Sequence, residues 1–189
     1  MHMKKNMQST FALCVVALSI SLGTTACAGT SGGSGSRAVL YDSLESLQKD
    51  SEAAVLVTVT GQKEFAKTDS ASAYVASTAT VEEPFSPASL GEKQGTTALA
   101  AGATIRIRQL GALNDSEGAP MLQPGGQYVL FIVPTEAPGA MSDEFYITGG
   151  TAGMYRLDEG ARAESGAFEK IGNEGDTLPA TITLKDLQN

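Results

Sequence analysis

The chain has no tryptophan, one histidine and two cysteines in 189 residues. The histidine, His2, and one cysteine, Cys14, lie in an N-terminal stretch that reads as a leader. Lys4 and Lys5 form its charged start, Phe11–Leu22 its apolar middle, and Gly23–Ala26 its small-residue end. This is the pattern of a secretory signal. The apolar run has 12 residues, short of the roughly 20 that a spanning helix needs. Removing 26 of the 189 residues leaves 163, with no imidazole and with Cys27 as the only thiol. Ser-His-Asp and Cys-His catalysis are then excluded. So are an ordinary zinc site, C-x-x-C redox chemistry and an internal disulfide, although an exported protein would permit one. No cofactor is expected. Basic residues are also scarce, 13 against 21 acidic, for a net charge of −8. Without Lys4 and Lys5 the balance is 11 against 21, or −10. Nothing supplies the basic footprint of a nucleic-acid binder.

The junction after the leader carries its own signal. Leu22–Cys27, with Ala26 immediately before Cys27, resembles a bacterial lipobox, although Thr24 stands where that pattern usually has Leu. The resemblance implies a diacylglycerol on Cys27 and cleavage just before it. Ordinary secretion, or a helix that stays attached, are the alternatives. Residues 28–36, Ala-Gly-Thr-Ser-Gly-Gly-Ser-Gly-Ser, are a flexible coil by composition, and nine such residues span roughly 15–18 Å on average. The expected organisation is a signal peptide over 1–26, a lipidated Cys27 with its tether over 27–36, and one domain over 37–189. The expected location is the outer side of the cell membrane, held there by the lipid.

In the domain, Tyr41–Lys49 reads as a short helix. Asp42 is placed to cap it with Glu45 three residues on, and Leu44 and Leu47 share one face. Ala53–Thr60 reads as a strand with Val55, Val57 and Val59 on one side. Ser72–Val81 is a second strand, ended by Pro84 and Pro87, and Ser86–Gly102 a long loop. Ala103–Leu110 alternates cleanly, with Ile105 and Ile107 in and Arg106 and Arg108 out. Gly111–Gly126 is turn-rich. Gln127–Val133 is apolar on both faces, as a strand covered on both sides reads. Glu144–Thr148, a hairpin of 153–157 with 161–163, and Ala180–Leu184 complete the set.

These elements predict an all-β domain: a small barrel of five to eight antiparallel strands with one N-terminal helix, or alternatively a β-sandwich. The order of the Leu-rich helix, AAVLVTVTGQ, a second strand, ATIRIRQLG and PGGQYVLFIVP resembles a type of bacterial secreted lipoprotein. It is also similar to the OB-like barrel of netrin and tissue-inhibitor-of-metalloproteinases modules. The resemblance covers about Tyr41 to Pro134 and implies an OB-like barrel. The inhibitors' mechanism does not carry over, because it needs a free N-terminal Cys in a disulfide frame.

Few side chains suggest chemistry. Arg106 and Arg108 lie two apart on one strand face, their Cα atoms roughly 6.6–6.8 Å apart. They are placed either to grip an anion or partner or to pair with neighbouring Asp and Glu. Asn114–Gly118 and Gly172–Asp176 carry oxygen ligands but no calcium-loop pattern, and read as solvated turns. Gly149–Gly153 has the glycines of a phosphate loop without its Lys-Ser/Thr ending, and reads as a turn or bulge. Tyr74, Tyr128, Phe131, Phe145, Tyr146 and Tyr155 are core or rim residues, and would form a binding patch if several shared one exposed face. The expected function is a non-catalytic, membrane-tethered module that binds an envelope protein or polymer. The alternative is a carboxylate-based hydrolase of envelope glycans, which requires two carboxylates about 5–9.5 Å apart in a cleft.

Overall fold

The computed structural model describes residues 39–68, 72–85, 99–114, 118–135, 143–157, 166–172 and 175–188. All of them belong to one compact unit, Gly32–Asn189. The expected leader, Cys27 and the tether lie outside the described residues, as do most of the 86–102 loop and the expected strand at 161–163. Among the described residues no helix is long and apolar enough to cross a membrane.

Helix α1 spans Leu44–Lys49. Its cap is Ser43, with Ser46 completing the box, rather than Asp42 with Glu45. The Ser43 hydroxyl accepts the Ser46 N–H at 3.2 Å and donates to the Asp42 carboxylate at 3.1 Å. Asp42 supports this cap from one residue earlier, its carboxylate accepting from both the Ser43 and the Ser46 hydroxyls at 3.1 Å. Leu47 is fully buried, a contribution of roughly 1.5–3 kcal/mol.

Eight strands follow among the described residues: β1 Ala53–Phe65, β2 Tyr74–Phe85, β3 Thr104–Leu110, β4 Gln127–Pro134, β5 Glu144–Ile147, β6 Met154–Leu157, β7 Ala167–Lys170 and β8 Thr181–Thr183. A 3-10 turn, Leu184–Leu187, ends the domain. The sheet order is β1-β2-β3-β5-β4-β6-β7-β8, and β1 also pairs with β4. Strands β1, β2, β3, β5 and β4 therefore close a ring. The fold is an all-β barrel, not an open sandwich. The pairing runs from Ala53 to Ile132 to Ile147; from the neighbouring Tyr146 it continues through Arg108 and Ala76 to Lys63. The circuit returns about ten residues farther along β1, the stagger that tilts strands around a closed barrel.

Three expectations are corrected. The ring is not wholly antiparallel, because β3 and β5 run parallel. β2 continues through Pro84, which pairs with Val55. Beyond Val81 no described strand lies on the other side of β2, and a proline is tolerated on such an edge. β6 lies between β4 and Ala167–Lys170, with Tyr155 opposite Val129 on one side and Lys170 on the other, so its described hairpin partner is β7 rather than 161–163.

β4 explains its own two-faced sequence. Tyr128, Leu130 and Ile132 point into the barrel with Val55, Val57, Val59, Ile105, Ile107 and Phe145. Val129 and Phe131 point outward into a second core with Tyr41, Leu47, Tyr155, Phe168, Ile182 and Leu187. β5 and β6 both run antiparallel to β4, and a short excursion separates them. Its two ends meet at Phe131. The Thr148 N–H donates to the Phe131 carbonyl at 2.8 Å, and the Phe131 N–H donates to the Gly153 carbonyl at 2.9 Å. The excursion needs glycine. Gly149 and Gly150 have φ of 62° and 64°, and a Cβ on Gly149 would lie 2.6 Å from the Tyr41 ring.

Candidate functional site

Among the described residues the barrel interior is lined by buried side chains. Its wall residues are buried to the last few per cent, and Leu122, from the β3–β4 connection, is fully buried among them. Leu122 is held by glutamines. Its N–H donates to the Gln109 side-chain oxygen at 3.0 Å, and its carbonyl accepts from the Gln62 side chain. The side chains available for contact are on the outside.

One outer face gathers most of the chemistry. Alternation along β1, β2, β3 and β5 turns Val75, Ser77, Ile107 and Phe145 inward, all fully or almost fully buried. Their neighbours turn outward in rows set by the register. Phe65 lies opposite Tyr74, and Tyr74 opposite Leu110. The next row is Lys63, Ala76, Arg108 and Tyr146, and the next Gly61, Thr78, Arg106 and Glu144.

Both arginines are engaged. The Arg106 guanidinium lies 2.8 Å from Asp143, and Arg108 Nε lies 2.6 Å from Glu144. The first pair is about one-third exposed, so it contributes little to stability. The second is half-buried to buried, with side-chain exposures of 17% and 9%. Burial works against the charge on Arg108. The hydrogen bond and charge of Glu144 outweigh it, with help from Tyr146, and hold its pKa above the ordinary arginine value. Of the two roles open to these arginines, the geometry shows ion pairing.

Arg108 also caps an aromatic column. The Phe65 and Tyr74 rings stack at 4.5 Å with 9° between their planes. Lys63 Nζ lies 4.8 Å from the Phe65 centroid, and the Arg108 guanidinium carbon lies 4.1 Å from the Tyr74 centroid. At 4.1 and 4.5 Å from the Tyr74 centroid, Arg108 and the Phe65 ring lie on opposite faces of Tyr74, and Lys63 adds a second cation over Phe65. Beside the column Leu110 is 60% exposed, and Leu113 just beyond it is 40% exposed.

The aromatic residues thus divide. Tyr128, Phe131, Phe145 and Tyr155 are buried core, whereas Tyr74 and Tyr146 share the outer face. Phe65 was outside the sequence expectation because the β-branched run stops at Thr60. No period signals it: the register shift between Val59 and Gly61 turns Lys63 and Phe65 outward, whereas the alternation of Val55, Val57 and Val59 carried on unbroken would turn them inward.

The remaining motifs do not form sites among the described residues. Gly149–Gly153 is the turn between β5 and β6: Gly150 is exposed, whereas Thr151, Ala152 and Gly153 are buried, with Ala152 in the second core. In the Asn114–Gly118 turn, residues 115–117 lie outside the described residues, as do 173–174 of the other. Asp176 accepts the Tyr41 N–H at 2.9 Å and lies 3.8 Å from Lys170 Nζ, so it fastens the start of the domain to its C-terminal part. Among the described residues no three His, Cys, Asp or Glu side chains cluster to hold a metal ion.

A scan against protein-family models, a search of the curated proteins and a search of the solved structures each return no match to this chain.

Proposed function

We propose that the protein is a non-catalytic binding module, tethered by a lipid on Cys27 to the extracytoplasmic face of the cell membrane, that engages an envelope protein or polymer. The observation that carries the binding part is the contrast between a barrel filled with side chains and an outer face bearing Phe65, Tyr74, Tyr146 and an exposed Leu110. Aromatic and arginine side chains of this kind supply most of the energy at protein interfaces. The two carboxylates on the face, Asp143 and Glu144, are each held by an arginine, which gives the hydrolase alternative no free pair there. The anchoring part rests on the sequence around Cys27 and on the Gly/Ser stretch after it. Two acyl chains anchor stably where one is marginal.

Fractionation of cells producing the full chain tests the anchor. The wild type is expected in the membrane fraction, with an N-terminal peptide that begins at an acylated Cys27. The Cys27→Ser variant is expected to lose the acyl group and to leave that fraction. A wild-type chain that keeps His2 and Cys14 and carries no acylglycerol would overturn the anchoring reading.

A further inference from the structure

The aromatic column narrows what its face can recognise. A base or a sugar ring binds an aromatic platform by lying on a free ring face. Here both faces of Tyr74 are covered, by Phe65 and Arg108, and Phe65 is stacked on Tyr74 and already carries the Lys63 ammonium over its ring. What the column presents is ring edges, which carry the positive part of the ring quadrupole, together with the Lys63 ammonium. Among the described residues Lys63 makes no ion pair, whereas Arg106 and Arg108 are each neutralised by a carboxylate. The apolar element is Leu110, in the same row as Tyr74 and Phe65. Positive ring edges, one uncommitted cation and a neighbouring exposed leucine form a fixed pattern across three strands.

We infer that this face, Lys63, Phe65, Tyr74, Arg108 and Leu110, docks a protein partner through a segment that sets an apolar side chain against Leu110 and a carboxylate against Lys63. The inference rests on the binding-module reading and names the partner chemistry of that site. A polyanion is the poorer fit, because two of the three cations on the face already hold carboxylates. An anionic bilayer is poorer still, because a chain with a net charge of −8 is repelled as a whole by a surface of the same sign.

The test places a photo-crosslinking phenylalanine analogue at position 110 of the full-length chain in cells, with the same analogue at exposed Glu169 on β7 as control. One protein adduct is expected from position 110 and none from position 169. Its yield should fall about tenfold with Lys63→Glu, the factor that 1.4 kcal/mol of lost binding produces, and should also fall as salt is raised during irradiation of isolated membranes. Melting of Lys63→Glu at the wild-type temperature shows that the fold is kept, and Tyr74→Ala supplies a second variant with the same expected loss. Absence of an adduct overturns the proposal. So does an adduct made of two copies of this chain, an adduct to lipid or glycan, or a protein adduct indifferent to Lys63→Glu. Fractionation of Cys27→Ser reads the anchor independently, so a failed face and a failed anchor are told apart.

Discussion

The two cores of this domain meet at one strand and are built in different ways. The barrel interior is mostly β-branched aliphatics that alternate along the strands, Val55, Val57, Val59, Ile105 and Ile107 among them, with a few larger side chains such as Leu122, Tyr128 and Phe145. The outer core is made of larger side chains from separate short segments: Tyr41 and Leu47 before the barrel, Phe131 on it, and Tyr155, Phe168, Ile182 and Leu187 after it. Hydrogen-bonded closure places the first set. The second set is placed by turns and caps, such as the Gly149 excursion and the clasp of Asp176 and Thr177 on Tyr41. A closed ring fixes which side chains face inward, whereas a layer of short segments depends on each of its fastenings.

Removing the side chain where the two meet should have the largest effect. Phe131→Ala is expected to cost about 3–5 kcal/mol in chemical denaturation, with barrel and outer layer unfolding together. A two-step curve, with the outer layer lost first, would show the comparison to be between two independent parts. A glycine pair sharpens the point at a lower cost. Gly149→Ala combines a positive φ with a Cβ 2.6 Å from the Tyr41 ring. Gly102→Ala, at φ +84°, has nothing within 4 Å of its Cβ. The second change should cost about 1 kcal/mol of backbone strain and the first clearly more, since such strain alone amounts to roughly 1–3 kcal/mol. Equal melting temperatures for the two variants would remove the role assigned to the Tyr41 contact.

The difference between the cores also explains what was legible in the sequence. The alternation of Ile105 and Ile107 with Arg106 and Arg108, and the two apolar faces of Gln127–Val133, report burial directly, so the barrel strands were readable. The partner of β6 was not, because β7 has only four residues, Ala167–Lys170, and a single alternating pair is not a period. The parallel pairing of β3 with β5 was invisible for another reason: it joins residues 38 positions apart, and no local pattern encodes direction. The outer face was half legible. Arg106 and Arg108 were readable as outward, but Phe65 meets Tyr74 because β1 extends five residues past Thr60 and shifts register between Val59 and Gly61. Asp143 and Glu144 were invisible as arginine partners because they arrive with the parallel strand.

Tyr155 measures how well the outer core tolerates a polar atom. The residue is fully buried, and its hydroxyl makes no hydrogen bond. Burial, with the Asp176 carboxylate adding to it, pushes its pKa well above the ordinary 10.0. A tyrosine raised in the folded state stabilises the fold below the unfolded-state pKa, and that contribution is lost as pH rises above it. Wild-type stability should therefore decline above about pH 10 with a component absent from Tyr155→Phe. At neutral pH that variant should be unchanged or up to about 1–2 kcal/mol more stable, because it removes a buried hydroxyl without a partner. A loss of stability at neutral pH would mean that the hydroxyl has a role in the outer core.

The smallest effect belongs at the C-terminal edge of that core, where Asp186 closes the last turn. Its carboxylate accepts the Thr183 N–H at 2.7 Å and the Thr183 hydroxyl at 2.8 Å. These two bonds hold its pKa below the ordinary 3.8, slightly opposed by burial. The sign is the reverse of the Tyr155 case: the contribution is present above the unfolded-state pKa and disappears as pH falls through the lower folded value. Because the carboxylate is almost fully solvated, the effect is reduced by screening. Asp186→Asn should cost no more than about 0.5–1 kcal/mol near neutral pH. The difference from wild type should narrow as pH falls below the ordinary 3.8 and close once the carboxyl is protonated in the folded state as well. The contrast between the cores adds a sharper requirement. The turn carries the buried Leu187 into the outer core, so hydrogen exchange should quicken along β7 and β8 in the variant while β1 and β3 stay protected. Uniform quickening through the barrel strands would mean that the Asp186 turn supports the whole domain rather than the C-terminal edge of the outer core.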